Sequence, residues 1–518
     1  MKGTIRYQVE GRTVEREVNY IPLRFILAIV FAVLETAAIV GIVIALSYYV
    51  PYFYLAVMAT EVGCVIRIIA SEDNPDYKIP WLIVVLLVPV AGFMLYFLFY
   101  SRTLKRKYVK RLEELRCQTY ETEDEPLFGQ LASPQICSQA RMLCKIADTR
   151  LFSRTSQRYF PLGERMWESM LEDLRKAETF IFLEYFIIEE GRFWDSILEI
   201  LKEKAAAGVE VRVLYDDIGC MMTLPGNYAQ ILRSYGIEAL PFSILKGNAD
   251  SEFNNRSHRK IMVIDGKVGY TGGVNIADEY INAVERFGHW KDVGIRLEGD
   301  AVRELTELFL IDYNLNSRKK LEPKPAYYPD HSVDADGYVI PFGDGPKPIY
   351  QRRVGKLAIQ NMLNQATRYV WIMTPYLIID NELCQTIENA ALRGVEVKLV
   401  LPHIPDKKLV FEMARGNYQR LIDAGVKIYE YEPGFVHAKC YLADDELAMV
   451  GTINLDYRSL VHHFENGVWM YRCGCIGDIR ADFEETLSRS IPMEGELVKW
   501  TLLQRFLRAV MKVFAPML

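Results

Sequence analysis

The chain has 518 residues, enough for three or four structural units at a typical ~150 residues per domain. Its 61 Lys and Arg residues against 67 Asp and Glu residues give a formal net charge of -6, so it has no overall basic field of the kind that recruits nucleic acid. Hydrophobic residues make up 50% of the chain, and the 9 cysteines have neither CxxC spacing nor histidine partners. These values exclude a disordered chain, a small disulfide-linked secreted protein and a cysteine-based zinc site, but they do not exclude a membrane enzyme.

Most of the unbroken apolar sequence lies near the start of the chain, in three stretches: 25–49, 52–70 and 80–100. The first contains one charged residue, Glu35, and the third contains none. A helix needs roughly 20 apolar residues to cross a bilayer, so these two stretches are predicted to be transmembrane helices. The middle stretch contains Glu61 and Arg67, and it either spans the membrane or lies at its surface.

Basic residues predict the orientation of this anchor. The segment directly after the third stretch, SRTLKRKYVKRLEELR, is rich in Lys and Arg, whereas residues 1–23 mix basic residues with Glu. Because loops rich in Lys and Arg stay in the cytoplasm, residue 101 and those after it are expected to be cytoplasmic. The N-terminus lies outside if all three stretches span the membrane, and inside if 52–70 is interfacial.

From about residue 150 the chain is predicted to consist of a duplicated α/β unit. TFIFLEYFII, a helical run and VEVRVLYDD form a strand–helix–strand pattern, which recurs as RYVWIMTPYLII, a helical run and VEVKLVLPH. Tyr185 and Tyr376 are equivalent landmarks of the two copies, as are Gly236 and Gly425. The predicted fold class is therefore N-terminal transmembrane helices followed by two tandem α/β domains that pack about a pseudo-twofold axis.

The predicted organisation is a membrane anchor with a basic collar, a first α/β domain, a second α/β domain and an amphipathic basic C-terminal helix, at residues 1–110, 111–325, 326–495 and 496–518. A segment rich in Pro, Gly and Asp, 318–350, is expected to contain the linker between the two domains. The C-terminal helix either lies at the membrane surface or packs on the body of the protein.

The strongest signal for chemistry is a motif that occurs once in each unit. Both copies read H-x-K-x4-D followed by G-[GT]-x-N, with the same spacing throughout. The motif residues are His258, Lys260, Asp265 and Asn275 in the first unit and His437, Lys439, Asp444 and Asn454 in the second. Each motif reads as a strand, and positions i and i+2 of a strand point to one face, so each unit would present an imidazole beside an ammonium group.

If the two units pack about a pseudo-twofold axis, two His, two Lys and two Asn converge on one point. Lys and Asn would supply donors and positive charge for phosphoryl oxygens. One His could attack phosphorus while the other protonates the leaving oxygen and then activates the incoming group. This chemistry requires no metal, and no cofactor is predicted.

Four acidic residues near the motifs have two different expected roles. Asp265-Gly266 stands between two apolar runs, which is typical of a hairpin turn, so Asp265 and Asp444 are expected to be structural rather than reactive. A catalytic His needs a partner that orients its second nitrogen, and the candidates downstream are Asp292 and Glu465. Each precedes a β-like run in its own unit; the alternative for both is an ordinary surface acid.

The adjacent pair His462 and His463 has no counterpart in the first unit. Contact with substrate and a plain surface position are both compatible with the sequence.

The doubled motif resembles that of the phospholipase D superfamily, and the chain is similar more specifically to bacterial cardiolipin synthases. The similarity covers nearly the whole chain, including DNPDYKIPWLIVVLLVPVAGFMLYFLFY, NRSHRKIMVIDGKVGYTGGVNIADEY and GTINLDYRSLVHHFENGV. In that family both motifs form one active site, which implies catalytic roles for His258, Lys260, Asp265, His437, Lys439 and Asp444 and phosphate contacts for Lys260, Asn275, Lys439 and Asn454. Family members usually have two N-terminal transmembrane helices, which match 52–70 and 80–100 here, so 25–49 is additional.

The resemblance implies two tandem phospholipase D-like domains at the bacterial cell membrane, with phosphatidylglycerol and cardiolipin as partners in a lipid bilayer. A His, expected to be His258, would attack the phosphorus of one phosphatidylglycerol and release glycerol. A second phosphatidylglycerol would then supply a headgroup hydroxyl, with His437 as general acid and base, although the reverse assignment of the two His residues is also compatible with the motifs. The sequence does not indicate an oligomeric state.

Other functions share parts of this pattern. A phospholipase D or a phosphatidylserine synthase on the same scaffold would use water or serine as the acceptor. A nuclease would share the motifs, but the acidic composition and the apolar stretches disfavour it. A non-catalytic membrane scaffold or a transporter is the alternative of a different class; both motif copies are complete, which disfavours a scaffold.

Overall fold

The computed structural model describes residues 2–9, 12–19, 23–49, 51–88, 90–99, 125–242, 255–347 and 349–494, together with 510, 511 and 513. The basic run after residue 100 and nearly all of the predicted C-terminal helix lie outside these described residues.

The described chain alternates helices and strands. The helices are α1 (Leu23–Tyr49), α2 (Pro51–Ala70), α3 (Pro75–Leu87), α4 (Ala91–Phe99), α5 (Glu125–Phe128), α6 (Pro134–Ala147), α7 (Gly163–Arg175), α8 (Arg192–Ala206), α9 (Tyr228–Ser234), α10 (Val302–Asn316), α11 (Val354–Gln365), α12 (Asn381–Leu392), α13 (Lys408–Arg415), α14 (Tyr418–Asp423) and α15 (Ile476–Ser488).

The strands are β1 (Lys2–Val9), β2 (Arg12–Asn19), β3 (Thr155–Phe160), β4 (Phe180–Tyr185), β5 (Glu210–Asp216), β6 (Glu238–Phe242), β7 (Lys260–Ile264), β8 (Val268–Gly272), β9 (His289–Lys291), β10 (Gly294–Gly299), β11 (Tyr338–Asp344), β12 (Tyr369–Met373), β13 (Leu377–Ile378), β14 (Glu396–Pro402), β15 (Lys427–Tyr431), β16 (Gly434–Val436), β17 (Cys440–Ala443), β18 (Leu447–Gly451), β19 (Leu455–Asp456), β20 (Glu465–Tyr471) and β21 (Ser490–Met493). Asp278–Ile281 and Pro325–Tyr327 form 3-10 turns, and Arg458–His462 forms a π-helical turn.

The apolar N-terminal stretches are helical. Within the described residues, one helical segment is long and apolar enough to cross a membrane by length and composition, Tyr52–Ala70, with a mean hydropathy of 1.8. Only 11% of it is buried against the rest of the chain. A shorter apolar helical segment, Val33–Leu46, lies within α1. The middle stretch, which its charges made the doubtful one, is thus the clearest candidate span.

The third stretch, 80–100, is not one helix. It is divided between α3 and α4, with Val88 outside the helix and Val90 at a φ of 66°. The sequence has a proline at position 89, which has no N–H to donate and disrupts a continuous helix. Trp81 and Tyr96 pack edge to face at 5.8 Å, so α4 folds back against α3. The prediction that this stretch forms one transmembrane helix is therefore wrong, because it forms a helical hairpin.

Two β-sheets form the body. Among the described residues, the first sheet has seven strands in the spatial order β3-β10-β8-β7-β4-β5-β6. The second has eight, in the order β11-β20-β18-β17-β12-β14-β15-β21. The first seven positions correspond one to one, and in each sheet the three strands β4-β5-β6 or β12-β14-β15 run parallel, whereas the others are antiparallel. The predicted duplication is confirmed at the level of strand order.

The strand–helix–strand patterns of the sequence fold as predicted. TFIFLEYFII contains β4, RYVWIMTPYLII contains β12, and each is followed by an amphipathic helix and the next parallel strand. Every residue of β4 and β12 is buried, because helices cover both faces of these central strands. The segment expected to contain the linker, 318–350, also contains β11, which is an edge strand of the second sheet.

Candidate active site

The two motif histidines lie where the two units pair through their backbones. Strand β16, directly before His437, pairs in parallel with β9 of the first unit, and the amide of His437 donates to the carbonyl of Lys291 at 2.7 Å. The equivalent contact of the other half is made before His258. Ser257 forms a parallel β-bridge with Phe464, and the carbonyl of Phe464 accepts from the amide of His258 at 2.8 Å. Each histidine is therefore held by a segment of the opposite unit.

This pairing corrects one detail of the predicted geometry. The sequence placed His and Lys of each motif on one strand, but β7 begins at Lys260 and β17 at Cys440, so both histidines precede their strands. The physical reason is that the residues just before each strand hydrogen-bond to the other unit instead of to their own sheet. Lys260 pairs with Tyr185 at the end of β4, so the site lies at the carboxyl ends of the central parallel strands.

The two predicted acidic partners contact the histidines, and they do so crosswise. Nδ1 of His258 lies 2.9 Å from Oε2 of Glu465, and Nδ1 of His437 lies 2.7 Å from Oδ2 of Asp292. Each acid lies in its own unit as expected, but its partner is the histidine of the other unit. A carboxylate at Nδ1 favours the tautomer with the proton on Nδ1, which leaves the lone pair on Nε2.

The variable position of the G-[GT]-x-N motif supports these acids in two ways. A Cβ atom at Gly273 would lie 2.0 Å from Oδ1 of Asp292, so only glycine leaves room for that carboxylate. Thr452, the equivalent residue, instead donates its hydroxyl to Glu465, and so does Ser459. Thr452 and Ser459 were not predicted as site residues, because only the fold shows that they approach Glu465.

The two motif lysines are fully buried between the histidines. Nζ of Lys260 donates to the carbonyl of His258 at 2.7 Å. Nζ of Lys439 lies 2.8 Å from Nδ1 and 2.9 Å from Nε2 of His437. Burial, followed by the charge of Lys439, lowers the pKa of Lys260 to about 7, and burial lowers the pKa of Lys439 to about 8.

The electrostatics of the two histidines differ. Burial is the main cause that lowers the pKa of His258 well below its ordinary value, and the neighbouring charges of Lys260, Lys439 and His437 lower it further. Burial and Lys439 lower the pKa of His437 to about 4, while Asp292 opposes this shift. The charges of one motif thus act on the histidine of the other, as expected of the single site that the crosswise His–carboxylate contacts form.

The two acids also differ. Burial would raise the pKa of Asp292, but the charge of His437 and its hydrogen bond outweigh burial and lower it. Burial raises the pKa of Glu465 to about 7, although Lys260 and the Ser459 hydroxyl oppose the rise. His437 therefore has the more strongly ionised partner.

The motif asparagines follow their strands by three residues and are not part of the returning strands themselves. Asn275 accepts from the amide of Ile187 at 3.1 Å and donates to the hydroxyl of Tyr280 at 2.7 Å. The side-chain oxygen of Asn454 is buried and accepts no hydrogen bond from the described residues. An amide oxygen can only accept, so this atom fits a donor such as a ligand hydroxyl, whereas a phosphoryl oxygen would need the side-chain NH2 of an asparagine.

Asp265 and Asp444 do not belong to the cluster. Asp265 lies at the opposite end of β7 from Lys260, and its carboxylate accepts from the backbone amides of Glu178, Thr179 and Phe180 at 2.7–2.9 Å. Asp444 accepts in the same way from three consecutive amides, those of residues 367–369. Both have φ near 55°, as a hairpin turn requires. The geometry matches the structural role expected from the turn and not the catalytic role implied by the resemblance.

Aromatic rings flank the two histidines unequally. The ring of Trp290, two residues before Asp292, lies 5.5 Å from that of His437. The ring of His463, two residues before Glu465, lies 5.6 Å from that of His258. His463 is thus a buried neighbour of the site rather than a surface residue, and it occupies the place that an indole has in the other half.

One group near the site has the spacing of metal ligands. Within the described part of the chain, ligand atoms of His258, His463 and Glu465 all lie within 4.8 Å of one another. Glu465 already accepts hydrogen bonds from three side chains, and the ammonium groups of Lys260 and Lys439 are close by. The positive charge of these two ammonium groups disfavours the binding of a metal cation and favours that of an anion such as a phosphodiester.

Two family descriptions match the chain. Residues 170–286 and 359–487 match the family described as "Cardiolipin synthase, PLD-like domain". Residues 62–99 match the family described as "Phospholipase_D-nuclease N-terminal". The two segments of the first match contain one copy each of the His–Lys motif.

Relatives match over most of the chain. A cardiolipin synthase of a Geobacillus species is 34% identical over 463 residues, which cover 88% of this chain and 91% of that protein. Cardiolipin synthase 2 of Bacillus cereus is 33% identical and covers 89% and 90%. An uncharacterized protein of Streptococcus mutans is 43% identical and covers 88% and 100%.

A solved structure has the same fold. The phosphatidylserine synthase of Haemophilus influenzae superposes with a TM-score of 0.54 at 14% sequence identity, and the match covers 73% of this chain and 98% of that one.

Proposed function

The chain belongs to the cardiolipin synthase family of phospholipase D-like proteins, and from this we infer that it is a phosphatidyltransferase that makes cardiolipin from two molecules of phosphatidylglycerol. The observation that carries the proposal is the pair of crosswise His–carboxylate contacts, 2.7 and 2.9 Å long, beside two buried lysines. Two imidazoles whose Nδ1 atoms are held by carboxylates, in a positively charged surrounding, match what phosphoryl transfer through a covalent intermediate requires.

In the first step, Nε2 of His258 attacks the phosphorus of one phosphatidylglycerol. The bond from phosphorus to the headgroup oxygen breaks, His437 donates a proton to that oxygen, and glycerol leaves. The phosphatidyl group remains on Nε2 of His258. The ammonium groups of Lys260 and Lys439 and the side-chain NH2 of Asn454 would donate to the phosphoryl oxygens while charge develops on them.

In the second step, a headgroup hydroxyl of another phosphatidylglycerol enters from the side of His437. His437, now neutral, takes the hydroxyl proton, the oxygen attacks phosphorus, and the P–N bond to His258 breaks. Cardiolipin leaves, and both histidines return to their starting protonation. The two roles of His437 follow from microscopic reversibility of one proton transfer.

The assignment of roles rests on the difference between the two acids. Asp292 stays ionised and opposes the fall of the pKa of His437 to about 4 in the free protein, and the negative charge of a bound phosphodiester would raise this pKa, so that His437 can carry the proton that a general acid needs. The pKa of His258 is lowered well below its ordinary value and its partner Glu465 ionises less readily, so His258 keeps the unprotonated Nε2 that a nucleophile needs.

The apolar N-terminal helices would anchor this chemistry where its substrates are. Both phosphatidylglycerol molecules lie in a bilayer, and an anchored enzyme meets them at a high effective concentration. We propose that Tyr52–Ala70 spans the membrane, that the helices around it form a multi-pass anchor, and that both sheets lie on the cytoplasmic side.

A half-reaction tests the proposed roles. Phosphatidyl-p-nitrophenol has a leaving group that departs without a general acid, so His437→Ala should release one nitrophenolate per protein and then stop, because no base activates the acceptor. His258→Ala should give no burst, and His331→Ala, a substitution outside the cluster, should turn over like the unaltered protein.

Mass spectrometry of quenched His437→Ala should place the phosphatidyl group on His258. A burst in His258→Ala together with none in His437→Ala would reverse the assignment. No covalent species in either variant would contradict the two-step mechanism.

A further inference from the structure

The segment that joins α2 to α3 is bound to the second catalytic unit. Asn74 caps α3 by accepting from the amide of Asp76 at 2.9 Å, and its side-chain amide donates to Asp380 at 2.9 Å. Asp76 in turn accepts from the backbone amide of Asn381 at 2.7 Å. Asp380 also accepts from Lys356 at 2.6 Å, so the contact is made to a fixed carboxylate at the start of α12.

Tyr77 is the centre of this contact. Its hydroxyl lies 2.5 Å from Nε2 of His462, and its ring meets the rings of Tyr457 and His462 edge to face at 5.6 Å each. Tyr77 is 3% exposed and shares an apolar cluster with Met413 and Tyr457. We call the contacts of Asn74, Asp76 and Tyr77 with the second unit the anchor joint.

The part of the second unit that the anchor joint contacts also lines the active site on its other side. Tyr457 directly precedes the π-helical turn Arg458–His462 and His462 is its last residue, while Ser459 within the turn donates to Glu465. The next residue after His462 is His463, which packs against His258. One short segment therefore contacts the anchor on one side and the His258–Glu465 pair on the other.

A lipid phosphate must reach histidines that are only 7% exposed, so the direction from which it arrives matters. Three polar contacts and an aromatic cluster fix the direction of the joint more tightly than a flexible tether would. If the site already faces the bilayer, less orientational freedom is lost when a bilayer-embedded substrate enters it.

We propose that Tyr77 is a positioning residue: through His462 it fixes the active site in one orientation relative to the apolar helices, so that the site faces the bilayer that contains its lipid substrates. This inference rests on the proposed phosphatidyl transfer. Residues of the joint touch no reacting atom, and a substrate that is free in solution does not depend on their orientation.

The test compares two forms of one substrate. Full-length protein in nanodiscs or vesicles is assayed with bilayer phosphatidylglycerol and with dihexanoyl phosphatidylglycerol below its micellar concentration. Tyr77→Phe removes the hydroxyl contact alone, and Asn74→Ala/Asp76→Ala/Tyr77→Ala removes the joint. Tyr235→Phe, at a tyrosine that is 41% exposed, is the matched control.

For bilayer phosphatidylglycerol, kcat/KM should fall about 5-fold in Tyr77→Phe, because one hydrogen bond of about 1 kcal/mol is lost, and at least tenfold in the triple variant, which loses more contacts. For the soluble substrate it should stay within twofold. The double variant Tyr77→Phe/His462→Ala should be no worse than His462→Ala, because both remove one contact. An equal fall on both substrates would show a general structural role and overturn the proposal, as would no change on either.

A second measurement, of the distance between the catalytic units and the bilayer, does not depend on enzymatic activity. Energy transfer from a fluorophore at Met222, an exposed residue of the first unit, to a lipid dye should report one distance in the protein without the triple substitution and a broader range with it. Identical distributions would overturn the proposal. Unaltered protein that forms no cardiolipin would contradict the proposed function instead, and the distance measurement would still decide on the joint.

Discussion

Glu465 contacts His258 across 207 residues of sequence, from one repeat to the other, with Oε2 at 2.9 Å from Nδ1. Asp292 makes the reciprocal contact to His437 across 145 residues at 2.7 Å. Neither unit alone contains a motif histidine together with its carboxylate partner. Separation of the two units would therefore disable both histidines at once, which gives the duplicated fold a chemical reason to stay together.

Removal of either carboxylate charge should slow the reaction without unfolding the protein. Glu465→Gln and Asp292→Asn keep the shape of the side chain but reverse the preferred tautomer of the histidine, an effect of about 10⁴-fold on kcat in a comparable His–carboxylate pair. The rate of cardiolipin formation and the thermal unfolding midpoint should be measured together. Glu446→Gln, at an exposed carboxylate paired with Arg472, is the control and should behave like the unaltered protein. Retained activity in both site variants would show that the pairs have no orienting role.

The two versions of the G-[GT] position should respond differently to substitution. Gly273→Ala places a methyl group against Oδ1 of Asp292 and should displace that carboxylate, with a loss of activity close to that of Asp292→Asn. Thr452→Val removes one of three donors to Glu465 and should lower kcat by tenfold or less. Steady-state assays of both variants test this order. A larger loss in Thr452→Val than in Gly273→Ala would be incompatible with the packing described.

Much of this site was predictable because its motif occurs twice in the sequence. Two copies of one motif at one spacing identify His258, Lys260, His437 and Lys439, and the alternation of apolar runs predicts the central strands on which they depend. The exchange of acids between units was not predictable. Local spacing contains no information on which histidine an acid meets after two sheets pack, and β9 and β16 pair only in the folded protein.

Asp265 and Asp444 show that one motif can contain structural residues beside catalytic ones. The sequence pattern of a turn predicts that they are structural, and three backbone donors to each carboxylate agree with that. Asp265→Asn should lower the free energy of unfolding by about 1–3 kcal/mol, because an amide oxygen accepts these hydrogen bonds more weakly than a carboxylate. Thermal or denaturant unfolding measures the loss, and kcat per folded molecule should stay within threefold. A fall in kcat as large as that of Asp292→Asn would contradict this assignment.

The anchor was harder to predict than the catalytic body. Charge counts made 52–70 the doubtful span, whereas α2 is continuous through Glu61 and Arg67. The uncharged stretch 80–100 is divided between α3 and α4, and the proline that the sequence has between these helices disfavours a continuous helix whatever the apolar composition. His462 and His463 were ambiguous for a similar reason: adjacent side chains of one segment face opposite partners, Tyr77 and His258.

The buried lysines predict how activity depends on pH. Burial lowers the pKa of Lys260 to about 7 and that of Lys439 to about 8, so the free enzyme loses positive charge as pH rises through this range. The ratio kcat/KM reports the free enzyme, and it should fall on the alkaline side with a midpoint between pH 7 and 8. A profile that is flat to pH 9.5 would show that these ammonium groups keep ordinary pKa values, and ~10.5 would then be the expected midpoint.

Stability should change with pH in a separate window. The pKa of His437 is lowered from 6.5 to about 4, so between these values the unfolded chain binds a proton that the folded protein does not. Folding stability contributed by this residue is complete above pH 6.5 and is lost as pH falls through 4. The unfolding midpoint of His437→Gln should depend less on pH in this window than that of the unaltered protein; an unchanged dependence would assign the effect to other groups.

The two-histidine transfer is tested most directly by the product balance of purified protein with phosphatidylglycerol alone in metal-free buffer. One glycerol should be released for each cardiolipin formed, and both products should be lost in His258→Ala and in His437→Ala. Phosphatidic acid in place of cardiolipin would show that water is the acceptor, and cardiolipin formed at an undiminished rate by either histidine variant would contradict the two-histidine transfer.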